Sequence, residues 1–361
     1  MNNLNYKNNL DETLDRLRLL YEHRLQDRIF ASFEIPSTVL KEYNQKNPEG
    51  YCESPDLHER IAFWEGLLQE RMAVEDDFMP SAYLSEFDQG LYGGLVGGDV
   101  QFMYHDNGWI SSMVSPILAD WSEFDSLVLE ESHPWFQRFV RQMQVFTENA
   151  SDKFGISHFI LIDGLNFSFE LVGATETYES IIECPENVTR AIEFAFDLNL
   201  KVQQTFFEYV STFRGGTFSN MVQWIPGKVI SESVDPFHMT SVDYFETWGR
   251  ANIERMFSCF DGGVLHIHGN GRHLLEAVSS ITGLKAVFLG DDTGFPPAFD
   301  VLDELKLRMG DIPLVVMVDF AEFSEKLHRH ELPGGVFYQV LKTPDADTAN
   351  RCMEKVRSYI V

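Results

Sequence analysis

Two histidines in the segment Val264–Asn270 (VLHIHGN) carry the strongest chemical signal in the sequence. His266 and His268 stand two apart in an apolar run of strand character. Both side chains therefore leave the same face, with Cα atoms about 7 Å apart. Two imidazoles converging from one strand end make half of a metal site. Asp319, at the end of the next apolar run but one, offers an oxygen as the third ligand. A His2Asp set with an open position suits a catalytic zinc or iron ion rather than a structural one. The plainer alternative is a pair of hydrogen-bonded polar residues beside the turn Gly269-Asn270-Gly271.

Other groups stand at comparable positions. Asp163 and Asp291 follow apolar runs and are read as general acid–base groups, in competition with the commoner task of capping a loop. Asp235 and His238 share the segment VDPFH, where a histidine beside a carboxylate is expected to titrate near neutral pH and to move protons. Trp109 and Trp224 are read as walls of an apolar substrate pocket, and Asn270 as a polar contact to the substrate. Arg214, with Arg250 and Arg272, is the cation available to a carboxylate substrate.

Placing these residues requires strands that end together. Val264–His268, Ala286–Leu289, Leu314–Val318 and Val336–Leu341 are short, continuously apolar and separated by helical patterns, which indicates a parallel sheet buried on both faces. No GxGxxG follows a strand, so a closed α/β barrel is preferred over a dinucleotide-binding sheet. In a (β/α)8 TIM barrel the chemistry gathers at the carboxyl ends of the strands.

Upstream, His158–Ile162 reads as a further strand and Pro185 opens a long amphipathic helix. A helix is expected over Ser241–Phe257. Leu10–Ile35 reads as one helix closed by Pro36, and Asp56–Met72 as a second. The expected organisation is therefore a single domain, with residues 1–75 an N-terminal helical elaboration and 76–361 the barrel. The Gly-rich segment 76–116 reads equally well as a loop over a cavity, tipped by Asp106–Trp109, or as a packing hairpin.

The chain has 361 residues, with 28 Lys+Arg against 56 Asp+Glu and a net charge of −28. Such a field repels phosphate backbones and anionic lipid, so neither nucleic acid nor membrane is an expected partner. Cys52, Cys184, Cys259 and Cys352 are widely spaced and read as reduced core thiols. The polar N-terminus and the absence of any apolar run of about 18 residues lead to the expectation of a cytoplasmic protein.

The stretch Leu161–Pro185, then VDPFHMTSVDYFE, LHIHGNGRHLLEAV, AVFLGDD, PLVVMVDF and VFYQVLKTPDADT resemble the uroporphyrinogen decarboxylase superfamily. That superfamily includes zinc-dependent methylcobalamin:coenzyme M methyltransferases. The resemblance covers residues 134–361 and implies a (β/α)8 barrel with its site at the C-terminal mouth. The decarboxylase branch carries an N-terminal arginine motif, whereas here Arg16, Arg18, Arg24 and Arg28 lie on an amphipathic segment among acids. The methyltransferase branch takes zinc with a His-x-Cys at this strand end and a Cys two strands later. His266 matches the first ligand, His268 replaces the first Cys, and Asp319 falls near the second.

The leading expectation is metal-assisted methyl transfer on a small-molecule substrate. Zinc or iron would be held by His266, His268 and Asp319, a corrinoid would be supplied only by a partner protein, and a homodimer is compatible. The alternatives are a carboxy-lyase acting on a tetrapyrrole or smaller acid, and a non-catalytic corrinoid- or tetrapyrrole-binding module.

Overall fold

The computed structural model describes residues 3–87 and 90–361. Its strands, in chain order, are β1 (Ile29–Phe33), β2 (Gly50–Cys52), β3 (Ser81–Ala82), β4 (Val100–Tyr104), β5 (Ile110–Val114), β6 (Gly155–Ile156), β7 (Ile160–Ile162), β8 (Gly216–Ser219), β9 (Gln223–Pro226), β10 (Ile230–Ser233), β11 (Gly263–Ile267), β12 (Leu284–Leu289), β13 (Leu314–Asp319) and β14 (Val336–Leu341). Seven of them form one parallel sheet in the order β1-β14-β13-β12-β11-β10-β7. The four apolar runs of the C-terminal third are strands β11–β14, as their composition requires.

Both faces of this sheet are buried, which is why its strands do not alternate apolar with polar. One face (Phe30, Ile160, Ile162, Val264, Ala286, Val315 and Phe337) joins a cluster with the N-terminal helices and the aromatic insertions. The other face, including Ala31, Leu161, Leu265, Val287 and Val316, packs against the connecting helices. Complete burial of a residue such as Leu265 contributes about 2 kcal/mol.

Residues 76–82 lie between β1 and β6. Asp77 N–H donates to Ala31 O at 2.9 Å, Gly155 N–H to Pro80 O at 2.8 Å and Ser157 N–H to Ala82 O at 2.9 Å. Asp76 and Asp77 strengthen the junction through their carboxylates, which accept from Phe33 N–H at 2.7 Å and Ala31 N–H at 3.0 Å.

The N-terminal region departs from expectation. Its first helix is Leu10–Tyr21, and His23 turns the chain in the left-handed region at φ 56°. Ile29–Phe33 is then not the end of that helix but β1, buried throughout and paired with β14. A five-residue run that is apolar on both faces cannot sit on a surface helix, and the sheet takes it. Residues 1–75 thus contain part of the central sheet.

The expected helix over Ser241–Phe257 is two helices, Val242–Trp248 and Arg250–Ser258, interrupted at Gly249, a poor helix former. The second expected helix is the third observed, after Thr38–Lys46: it runs Leu57–Glu70 and starts where Asp56 accepts from the His58 and Glu59 N–H groups. Within the Gly-rich segment, β4 and β5 form an antiparallel hairpin that β2 extends to three strands; Asp88 and Gln89 lie outside the described residues. Cys259 is exposed and Cys52 and Cys184 are half-buried, so Cys352 alone of the four is a core thiol. No helix among the described residues is long and apolar enough to cross a membrane.

Candidate metal centre

Strands β10, β11 and β12 run side by side, with Ser233, His266 and Phe288 in register. His266 follows Val264 on the face that carries Ala286 and Val315. The chain leaves β10 into a short 3-10 turn, Asp235–Met239, and leaves β11 into another, Gly269–Leu274. These exits bring together the only group of three or more His, Cys, Asp or Glu donors, among the described residues, that could share a metal ion: Asp235, His266 and His268, whose donor atoms all lie within 4.8 Å of one another.

The surroundings of this group are specific. His268 Nδ1 lies 3.0 Å from Asp292 Oδ1, and Asn270 N–H donates to Asp292 Oδ2 at 3.1 Å. A neutral His268 that donates from Nδ1 leaves Nε2 as a lone-pair donor, 3.8 Å from Asp235 Oδ1. A carboxylate behind a histidine is the usual support of a metal-bound imidazole, because it fixes the tautomer and raises the ligand's basicity. His266 Nε2 and Asp235 Oδ1 are both buried without a hydrogen-bond partner, a costly state that an ion would relieve. Gly290, just past β12, makes room: a Cβ there would stand 2.8 Å from His266 Nε2 and 3.1 Å from His268 Nδ1. A tetrahedral zinc site needs donor separations of about 3.3 Å, within reach of small side-chain movements. The donor set therefore fits a divalent ion of borderline hardness.

Burial governs the electrostatics. It lowers His266 to about 3, with His268 adding to the effect and Asp292 opposing it. His238, expected to titrate near neutral pH, is instead lowered to about 4, because burial outweighs the opposing pull of Asp235. Its Nδ1 is 3.6 Å from Asp235 Oδ1, so it stands beside the donor group rather than across an open cleft. At Asp292, burial opposes ionisation, but the Asn270 N–H and the His268 imidazole outweigh it and hold the carboxyl below its usual range.

Behind the site lie two buried acids. Burial raises Asp163 to about 8, and raises Glu232 to about 8 with Asp163 adding to the effect. Asp163 Oδ1 accepts from the Leu165 and Asn166 N–H groups and caps the helix Gly164–Val172. Asp163 thus fills the capping role through Oδ1, while its Oδ2 is buried without a partner among the described residues.

The remaining sequence candidates separate cleanly. Asp319 is not in the donor group: it is half-buried at the end of β13 and pairs with Lys342 at 2.9 Å. Two strands away from β11, its side chain meets its own neighbour across β14 first, and Asp235 supplies the oxygen instead. Asp291 does not act in the cluster; it accepts from Ala298 N–H at 2.7 Å and Arg272 at 3.2 Å, holding a loop. Trp224 is fully buried core, donating to Phe213 O at 3.0 Å, and Arg214 is a surface residue paired with Asp11. Asn270 does reach the site: it lines a cavity of about 330 Å³ with Asp235, His238, His268, Asp292 and Phe169, and its Oδ1 has no partner. Asp292 is the candidate-site residue that sequence reasoning passed over in favour of its neighbour Asp291. Gly290 was the available signal, since the register places it beside the histidines and Asp292 two residues on.

Trp109 lines a different and larger cavity, of about 440 Å³, where Glu34 follows β1 and Tyr83 follows β3. Both cavities open at the carboxyl ends of the parallel strands, and they share no lining residue. The tip of the β4–β5 hairpin, Asp106, Asn107 and Trp109, forms part of the larger cavity's wall. The Gly-rich segment is thus a hairpin that also closes a cavity.

No protein-family model matches the chain, and no curated protein matches it. Among solved structures, a methyltransferase from Methanosarcina mazei is similar to it over 99% of this chain and 99% of that chain, with a TM-score of 0.63 and 14% identity. The chain thus shares a methyltransferase-like α/β fold along its whole length.

Proposed function

We propose that this chain is a metal-dependent enzyme of the methyl-transfer type, a member of the uroporphyrinogen decarboxylase superfamily. Its metal would be zinc or iron, held by Asp235, His266 and His268. The observation that carries this reading is the donor group itself: three donors within 4.8 Å of one another, at the carboxyl end of the sheet, two of them with buried unpartnered atoms. A fold shared over its full length with a methyltransferase supports the reaction class. The hydrogen bonds that tie residues 76–82 to β1 and β6 support closure of the sheet into a (β/α)8 barrel, whose strand ends would then ring the site.

A divalent ion bound there supplies Lewis acidity to a nucleophile or leaving group on the substrate. The chain's own residues do the rest. Asp292 holds His268 in one tautomer, and Gly290 keeps the space beside both imidazoles free. His238 packs against Asp235 and fixes the turn that presents it. Asn270 offers its free Oδ1 to a donor on the substrate, and the 330 Å³ cavity sets the substrate's size to that of a small molecule. With two nitrogens and one oxygen, and no sulfur, the site is harder than a thiolate-rich one and favours oxygen- or nitrogen-bearing substrates.

The carboxy-lyase reading lacks its cations. Arg214 is paired with Asp11 on the surface. Arg250 is bound by Glu246 and by Ala277 O. Arg272 is committed to Pro296 O and Asp291.

The test is methyl transfer from free methylcobalamin, standing in for a protein-bound corrinoid, to small thiols, alcohols and amines. Metal-loaded protein is expected to consume the methyl–cobalt bond with one of these acceptors, and His266→Ala to lose the reaction. Metal-loaded protein inert with all three acceptor classes would overturn methyl transfer.

A further inference from the structure

The 440 Å³ cavity is within the size range of small-molecule sites, and its chemistry differs from that of the metal centre. Four aromatic side chains, Trp64, Phe78, Tyr83 and Trp109, stand in its wall, with the Tyr83 and Trp109 rings 5.4 Å apart. Among the described residues its acids are Glu34, Glu70 and Asp106 and its single cation is Arg71.

That cation is already shared between a buried carboxylate and Glu34, whose ionisation it favours. Arg71 donates to the fully buried Asp76 carboxylate at 2.7 Å, and its guanidinium lies 3.6 Å from the centre of the Phe78 ring. Glu70 is likewise engaged, accepting from Ser37 and Val39 at the start of the helix Thr38–Lys46. Glu34 is different. Its carbonyl accepts from Thr343 N–H at 3.0 Å, but its carboxylate, in the cavity wall, has no hydrogen-bond donor among the described residues, and burial, opposed by Arg71 and Lys342, pushes it above the usual carboxylate range. Asp106 gives its backbone carbonyl to Asn44, and its carboxylate joins no ion pair among the described residues.

A cavity with aromatic walls, two carboxylates outside any ion pair and, among the described residues, no cation besides the engaged Arg71 selects against anions, while its serine, asparagine and glutamine side chains can meet a hydroxyl. It favours a cation with a carbon body, held over ring faces and neutralised by Glu34 and Asp106. The geometry points to this cavity as a binding site for a small organic cation of the alkylated-ammonium class. It shares no residue with the metal centre, so it stands whether or not the metal is confirmed.

The experiment uses the whole chain and three probes of one shape: choline, its neutral isostere 3,3-dimethyl-1-butanol, and the anion 3,3-dimethylbutanoate. Calorimetry or ligand-observed NMR is expected to show choline binding at least about tenfold more tightly than the neutral isostere, and the anion not at all. Glu34→Gln and Trp109→Leu are each expected to weaken choline by about tenfold while leaving zinc affinity within about twofold. Asp106→Asn, at an exposed hairpin tip, is a milder variant with the same expected direction. Equal binding of choline and the isostere, preference for the anion, or no choline binding at all would overturn the assignment. So would choline binding that both Glu34→Gln and Trp109→Leu leave unchanged.

Discussion

The strand-end face of this molecule carries two sectors built on opposite principles. Around β10–β12 the side chains come from strand ends and the first residues of the turns that follow, they are half-buried, and their polar atoms are oriented by one another: Asp292 on His268, the buried His238 beside Asp235. Around β1–β3 the wall comes from helices, residues that follow strands and an inserted hairpin, and two of its acids, Glu34 and Asp106, join no ion pair among the described residues. The first arrangement is what binding an ion demands, with few donors held tightly. The second suits a ligand recognised by shape and by diffuse charge. If both proposals hold, one fold would separate chemistry from recognition: rigid sheet for the former, insertions for the latter.

That separation can be broken experimentally. The largest effect is expected from His266→Ala, which should lower zinc affinity at least about a hundredfold while leaving choline binding unchanged; loss of both on titration would merge the two sectors into one site. Asp292→Asn keeps the shape but weakens the acceptor behind His268. It should reduce zinc affinity by about 10–100-fold in a chelator competition, with the circular dichroism spectrum unchanged.

Glu232 tests the buried wall of the metal sector. Its folded pKa lies above its unfolded value, so its contribution to stability is complete below the ordinary carboxylate range and is lost as pH rises through about 8. Glu232→Gln should therefore gain stability relative to the parent between about pH 5 and pH 9, on the order of 2 kcal/mol by urea denaturation. The smallest effect belongs to Asp319→Ala. It removes an exposed pair with Lys342 and should cost at most about 1 kcal/mol. It should leave metal binding intact, whereas a drop in zinc affinity would restore the sequence-based ligand set.

The two sectors also differ in how far the sequence reveals them. Strands β11–β14 were legible because burial on both faces forces continuous apolar runs, and the i, i+2 spacing of His266 and His268 follows from strand geometry alone. Their third partner was not. Asp235 and Asp319 both follow strands, and which one turns toward the histidines depends on the turn Asp235–Met239 and on the competing attraction of Lys342. β1 was hidden because Ile29–Phe33 lies close behind an amphipathic helix, with no Gly or Pro between them. The aromatic cavity was legible only at Trp109. Trp64, Tyr83 and Glu34 come from three separate elements, and no local spacing relates them.

The most direct test of the account is the stoichiometry and ligation of metal in the intact chain. Metal-stripped protein titrated with zinc is expected to bind one ion per chain. X-ray absorption at the zinc edge should then show nitrogen and oxygen donors only, with the imidazole signature lost in a His266→Ala/His268→Ala variant. No tightly bound zinc or ferrous ion, or a sulfur-ligated one unaffected by that variant, would contradict it.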